Sequence, residues 1–429
     1  GEDCTISLFE VGGEEVTTTD TQSVETPNGN VSLVCRAELP DGVDPPRRAV
    51  RTSGELCETL LGPTTNTDKI ITPRGSVRLT CRVNGKPLPT SGWAIGWDAA
   101  GTPAIVHTAD GGQTWQAQGD LTAWQGSPGN DISAVDDRTA WAALGSADAV
   151  PGGTILHTTD GGATWVSQPI PAGLEGGIKS IKGLSRREAW AASLKGTVLH
   201  TTDGGATWNV VPNTTVPIHT VNRMDAIGDN VWIADCSGPP NGPMGAVVHT
   251  QDGGLAWRAE HLPWGGTYEY NSALTVHAFS PEAVWASGAL LPEPGAVFYR
   301  TLDGGTQWES VITVAAANHL DDICAAGPDD VWGVMNTSGA GVIWRVHVAP
   351  DGQPTKANVT PEGLFHVTEG ITCLDTRVAW VAAPWLNAPD PQEPHGIILH
   401  TTDGGKSWVR QSAPTDIYLS LIHISEPTR

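Results

Sequence analysis

The chain writes Asp-Gly-Gly-x-x-Trp six times, with the Asp at positions 110, 160, 203, 252, 303 and 403. The steps are near 50 residues except the last, which is 100. Midway through that gap Asp351-Gly352 survives as a degenerate copy. A second marker keeps the same period. Trp93, Trp141, Trp190, Trp232, Trp285, Trp332 and Trp380 each follow a turn and open a run of small residues, as in TAWAALG and EAWAASL. Two independent markers therefore count seven units. Gly and Pro are frequent and no long amphipathic helix pattern is present, which predicts an all-β chain. A period of 40–50 residues with several short strands per unit is the mark of a β-propeller. The expectation is a seven-bladed β-propeller of four-stranded blades.

Within a unit, strand A is short and apolar (Ile132-Ser133-Ala134-Val135), and strand B opens at the periodic Trp. Strand C runs into the Asp-Gly-Gly turn, and strand D begins at the Trp of that turn. The first unit lacks strand A, because Leu88-Pro89-Thr90-Ser91-Gly92 precedes Trp93. Asp416-Ile417-Tyr418 resembles Asp131-Ile132-Ser133, so the C-terminal end should supply the missing strand and close the open sheet edge. Residues 419–429, LSLIHISEPTR, resemble a translated sequencing adapter rather than evolved protein. Leu419 to Ile424 are then expected to take the closing position by accident of their apolar character.

The first 88 residues are a different internal repeat. Gly54-Glu55-Leu56-Cys57 echoes Gly1-Glu2-Asp3-Cys4, and residues 72–82 echo residues 26–36. Residues 1–45 and 46–88 read as two small β modules, each closed by a disulfide, Cys4–Cys35 and Cys57–Cys81. Units of this size have little core, so a cross-link would help them. Cys usage of this kind implies an exported, extracytoplasmic protein: secreted, periplasmic or at the cell surface. Cys324 and Cys373 occupy similar places in neighbouring A strands. They could pair, but buried free thiols are the expectation.

The Thr-x-Asp-Gly-Gly-x-x-Trp run, as in HTTDGGATW at 157–165 and again at 200–208, resembles the Asp-box (BNR-type) repeat. That repeat occurs in sialidases, some glucan hydrolases, sortilin-like receptors and photosystem II assembly-factor-like propellers. The resemblance covers residues 89–418, and in overall look the assembly-factor-like propellers are nearest. It implies that Asp110, Asp160, Asp203, Asp252, Asp303 and Asp403 are structural, holding a turn on the outer rim. The carboxylate would accept backbone N–H bonds, the glycines would permit positive φ, and the Trp would pack between blades. The His or Arg before each box repeats too faithfully to be one active site and reads as a strand C surface residue.

Function should sit at the face of the D–A and B–C loops, over the channel mouth. Acids precede nearly every strand A: Asp131, Glu175, Glu269, Asp321, Asp322 and Glu369. Such a ring would raise its members' pKa and attract cations. Trp97, Trp124, Trp264 and Trp385 fall outside both periodic sets, in the expected loops, with Tyr268 and Tyr270 beside Trp264. Exposed Trp and Tyr are common binding anchors and suit stacking on sugar rings. These twelve residues form the expected ligand-binding surface. No cofactor is expected, Ca²⁺ being the one ion the carboxylate ring could take.

A formal charge of −23 argues against nucleic acid and anionic lipid as partners, and no stretch of 18 apolar residues offers membrane insertion. Ser/His/Asp, P-loop and zinc-type motifs are absent. A sialidase would need an arginine cluster, yet only Arg223 stands near an A strand. The expectation is a non-catalytic binding propeller with a protein or carbohydrate ligand. The alternative is a glycoside hydrolase using a carboxylate pair at the same mouth, Asp322 with Glu369 or Asp131, since inverting enzymes need two such groups about 6.5–9.5 Å apart.

Overall fold

The computed structural model divides the chain into two units, residues 1–89 with 427–429, and Thr90–Glu426. It describes the backbone of strands within 2–87 and residues 91–98, 100–145, 153–212, 216–236, 246–263, 270–291, 295–315, 320–337, 340–362, 368–384, 396–412, 414 and 417–424. In the first unit Glu2–Phe9 runs parallel to Gly29–Ala37 and antiparallel to Gly75–Val83 within one sheet. The pairings expected of Cys4, Cys35, Cys57 and Cys81 lie outside the described side chains.

The second unit is a ring of seven four-stranded antiparallel sheets, the seven-bladed propeller expected from the two markers. Blade 2 shows the plan. Strand A (Gly129–Ala134) pairs with strand B (Ala140–Leu144), then strand C (Thr154–Thr158) and strand D (Val166–Ser167). Every residue of strand B is buried, which explains its small side chains around one large anchor. The seven strand B Trp residues are at most 1% exposed. The box Trp of the next blade meets this anchor edge-on: Trp165 lies 5.7 Å from Trp93, and Trp208 lies 5.7 Å from Trp141. Blades 1 and 2, 2 and 3, and 6 and 7 are thus joined by near-perpendicular indole pairs, a favoured aromatic geometry.

The residue before each box is not a free surface group. His157 stacks on Trp141 at 3.5 Å, His200 on Trp190 at 3.9 Å, and His400 on Trp380 at 4.3 Å. Arg300 and Arg345 take the same place over Trp285 and Trp332. Strand pairing puts Trp141 directly opposite His157, so the repeat of this residue reflects a cross-strand pair. Burial pushes His157 and His400 down to about 4, so both are neutral at pH 7.

The box turns are held by their own short-range bonds. In blade 2 one Asp160 oxygen accepts the Thr158 hydroxyl at 2.8 Å and the Thr164 N–H at 3.0 Å. The other accepts the Thr164 hydroxyl at 2.6 Å. Gly161 and Gly162 have φ of 78° and 82°, which only glycine adopts freely. Asp110, Asp203, Asp252, Asp303 and Asp403 each accept from the Thr two residues before and the N–H four residues after.

Blade 1 takes its strand A from the other end of the chain. Ile417–Ile424 pairs antiparallel with Gly92–Asp98, setting Tyr418 against Trp97 and Ile424 against Gly92. Leu419, Leu421 and Ile422 are buried there. A Cβ on Gly96 would stand 1.8 Å from the Tyr418 carbonyl oxygen, so glycine is required where the closing strand crosses.

Candidate site at the channel mouth

Seven A strands line the channel, and each begins at the face from which the D–A and B–C loops spring. In blades 1 to 5 pairing with strand B slips by one residue near that start, bulging at positions 420, 130, 179, 222 and 274. In blades 6 and 7 Asp321 and Glu369 donate their N–H to Val334 and Ala382, which also pair with the next residues, Asp322 and Gly370. These two therefore stand at the corresponding place. Bulges re-aim side chains and gather at functional rims. Here they set Asn130, Lys179, Asn222, Asp321 and Glu369 around one opening.

The residue after each bulge forms a second tier, and the residue two further on a third. Between them the two tiers tie each of blades 1 to 6 to the next. Asp131 accepts the Ser180 hydroxyl at 2.6 Å and the Ile181 N–H at 2.9 Å. Ser180 in turn accepts the Met224 N–H, and Asp322 accepts the Ile371 N–H at 3.0 Å. Below them His423 accepts from Ala134, Ser133 from Gly183, Asp225 from Ala278 and His277 from Ala325. Lys182 meets Asp225 at 2.8 Å. Between blades 6 and 7 the same step is covalent, because Cys324 and Cys373 form a disulfide. This corrects the free thiols expected at both positions: the side chain of Cys324 meets the residue that its tier-mates contact by hydrogen bond.

The carboxylates read from the sequence therefore divide. Asp131 and Asp322 are not loop acids but lie inside strand A and are buried. Burial pushes Asp322 up to about 6, against the pull of Arg223 and of the Ile371 N–H. Arg223 serves both carboxylates: its Nε is 3.8 Å from Asp322, and its charge also opposes the upward shift of Asp131. Asp321, half-buried, accepts from the Asn336 amide at 2.9 Å. Glu369 is half-buried, and burial with the nearby Asp321 charge raises its pKa. Glu175 is exposed ahead of its strand. Glu269 lies outside the described residues. Among the described residues no group of three or more acid, His or Cys side chains is placed to hold a metal ion.

The aromatic set divides too. Trp97 lies within strand B of blade 1 rather than in a loop, stacked on Tyr418 at 6.5 Å. Trp124 sits in a 3-10 turn (Thr122–Trp124) of the D–A connection, half-buried against the core. Trp264, Tyr268, Trp385 and the side chain of Tyr270 lie outside the described residues. Sequence reading missed the basic members of the mouth, Lys179 and the central role of Arg223. The signal was available as recurring polar pairs at the A-strand starts: Asn130-Asp131, Lys179-Ser180, Asn222-Arg223 and Asp321-Asp322.

The family model described as photosynthesis system II assembly factor YCF48 matches residues 88–237. Several solved structures share the fold. YCF48 from Cyanidioschyzon merolae is 14% identical, with 80% of this chain and 100% of that one covered and a TM-score of 0.50. A protein from Lactobacillus plantarum is 13% identical, with 79% and 100% covered and a TM-score of 0.53. A putative 6-phosphogluconolactonase from Bacteroides uniformis is 12% identical, with 78% and 99% covered and a TM-score of 0.51. No curated protein matches the chain. The chain resembles the BNR-type propellers of the photosystem II assembly-factor kind.

Proposed function

We propose that this propeller is a non-catalytic, exported binding module that takes a protein or glycan on the face of the D–A and B–C loops. The observation that carries this reading is the commitment of Asp131 and Asp322. Both are buried acceptors for the next blade's backbone, which suits a frame better than an acid–base pair. The long, Pro-rich segments between strands B and C differ in sequence from unit to unit, as binding segments on a fixed frame do. The Cys324–Cys373 disulfide favours an oxidising compartment. A photosystem role is not carried over, since 24 basic residues against 47 acidic leave little for a basic docking surface.

Glu369 favours the hydrolase alternative, because a carboxyl with a raised pKa is suited to donate a proton. The two readings separate in one experiment. The protein is incubated with mixed oligosaccharides and screened in parallel for capture on glycan and peptide arrays. Capture without released sugar, lost in Trp264→Ala and Trp385→Ala with the fold retained, is the expected result. Sugar release that disappears in Glu369→Gln would replace the binding reading with hydrolysis. Capture unchanged in both Trp variants would move the site away from this face.

A further inference from the structure

Two charged side chains at the mouth stand out by what they lack. Lys179, on the bulge of blade 3, and Glu369, at the matching place in blade 7, are both half-buried. Among the described residues neither the ammonium nor the carboxylate has a hydrogen bond or an ion pair. Each feels the other's charge, yet they do not touch. Each also has a like-charged neighbour: Arg223 beside Lys179, and Asp321 beside Glu369. Burial and these neighbours disfavour both charges, lowering Lys179 and raising Glu369. Desolvating a charge without giving it a partner is costly. The other buried charges of the channel have partners: Asp131, Asp225 and Asp322 accept backbone N–H groups, and Lys182 meets Asp225. At the mouth Lys179 and Arg223 come from blades 3 and 4 and Asp321 and Glu369 from blades 6 and 7, with Arg223 also 3.8 Å from Asp322 in the tier below.

We propose that the channel mouth binds a small zwitterion of the amino-acid class, its carboxylate taken by Lys179 and Arg223 and its ammonium by Glu369 and Asp321. A ligand with both charges would partner Lys179 and Glu369 at once. A simple anion or cation would satisfy one side and repel the other. The site stands on described strand residues and does not depend on the loop face capturing a macromolecule.

The test uses the full chain and three probes of increasing charge separation: glycine, 4-aminobutyrate and 6-aminohexanoate. Binding is read by calorimetry and by the rise in thermal midpoint at millimolar probe. At least one probe is expected to bind, and Lys179→Met and Glu369→Gln are each expected to weaken it by about tenfold or more. Their ligand-free thermal midpoints check that both variants fold. Acetate and butylamine, carrying one charge each, should bind no better than the variants do. No binding of any probe overturns the proposal, as does binding that survives both substitutions. Binding of neutral maltose that both variants lose would also overturn it, showing that the mouth reads hydroxyls.

Discussion

The Asp131 carboxylate accepts the backbone N–H of Ile181, 50 residues away in the next blade, at 2.9 Å. A side chain read from the sequence as a ligand group therefore holds two blades together. Asp131→Ala would leave that buried N–H and the Ser180 hydroxyl without their acceptor. The expected cost is about 1–3 kcal/mol, the usual penalty for orphaning a buried donor. Urea unfolding followed by Trp fluorescence measures it, and a change near zero would return Asp131 to the ligand-binding set.

The box acids give a pH signature. Hydrogen bonds from the Thr164 hydroxyl and N–H, joined by the Thr158 hydroxyl, hold Asp160 down at about 2 against an ordinary value of 3.8. A depressed folded-state value means the stabilisation is complete above the unfolded value and is lost as pH falls through the folded one. Asp160→Asn should therefore lower the thermal midpoint at pH 7, and the difference from the parent should vanish between about pH 4 and pH 2. A constant gap over that range would contradict the assignment.

The Cys324–Cys373 disulfide closes a loop of 49 residues in sequence separation. Loop-closure entropy for that span corresponds to about 4 kcal/mol. The double substitution Cys324→Ser with Cys373→Ser should lower stability by about 2–4 kcal/mol in denaturant titration. Reductant should lower the parent by a similar amount and leave the double variant unchanged.

Gly96 tests the closing strand. Gly96→Ala drives a methyl into the Tyr418 carbonyl, and the Tyr418–Leu419 backbone of the closing strand leaves it no room. The strand Ile417–Ile424 should detach, and limited proteolysis should cut near Tyr418 well before the other blades are attacked. A variant with parent-like resistance would show that another segment closes the ring.

Much of this fold was legible because the box is a local device. Asp160 binds Thr158 and Thr164, all within seven residues, so the turn, its glycines and its Trp repeat as one word. The count of blades and the place of the closing strand followed from that word. The channel was harder to read. Asp131 is described by its contact with Ile181, and such contacts span about one repeat, so no local pattern announces them. His157 was misread for a milder reason. Its partner Trp141 lies 16 residues back on the facing strand, a spacing visible in the sequence once strands B and C are aligned. The loops that would carry most ligand contacts vary from unit to unit, and repetition says nothing about them.

Five of the side-chain ties along the channel lean one way. Asp131, Ser180, Asp225, His277 and Asp322 each accept from the blade that follows in sequence. The ring accordingly has a direction, like tiles each resting on the next. Loss of one of these five acceptors orphans a buried backbone N–H in the blade that follows. Removal of one such side chain should be felt first in the blade that the ribosome makes next.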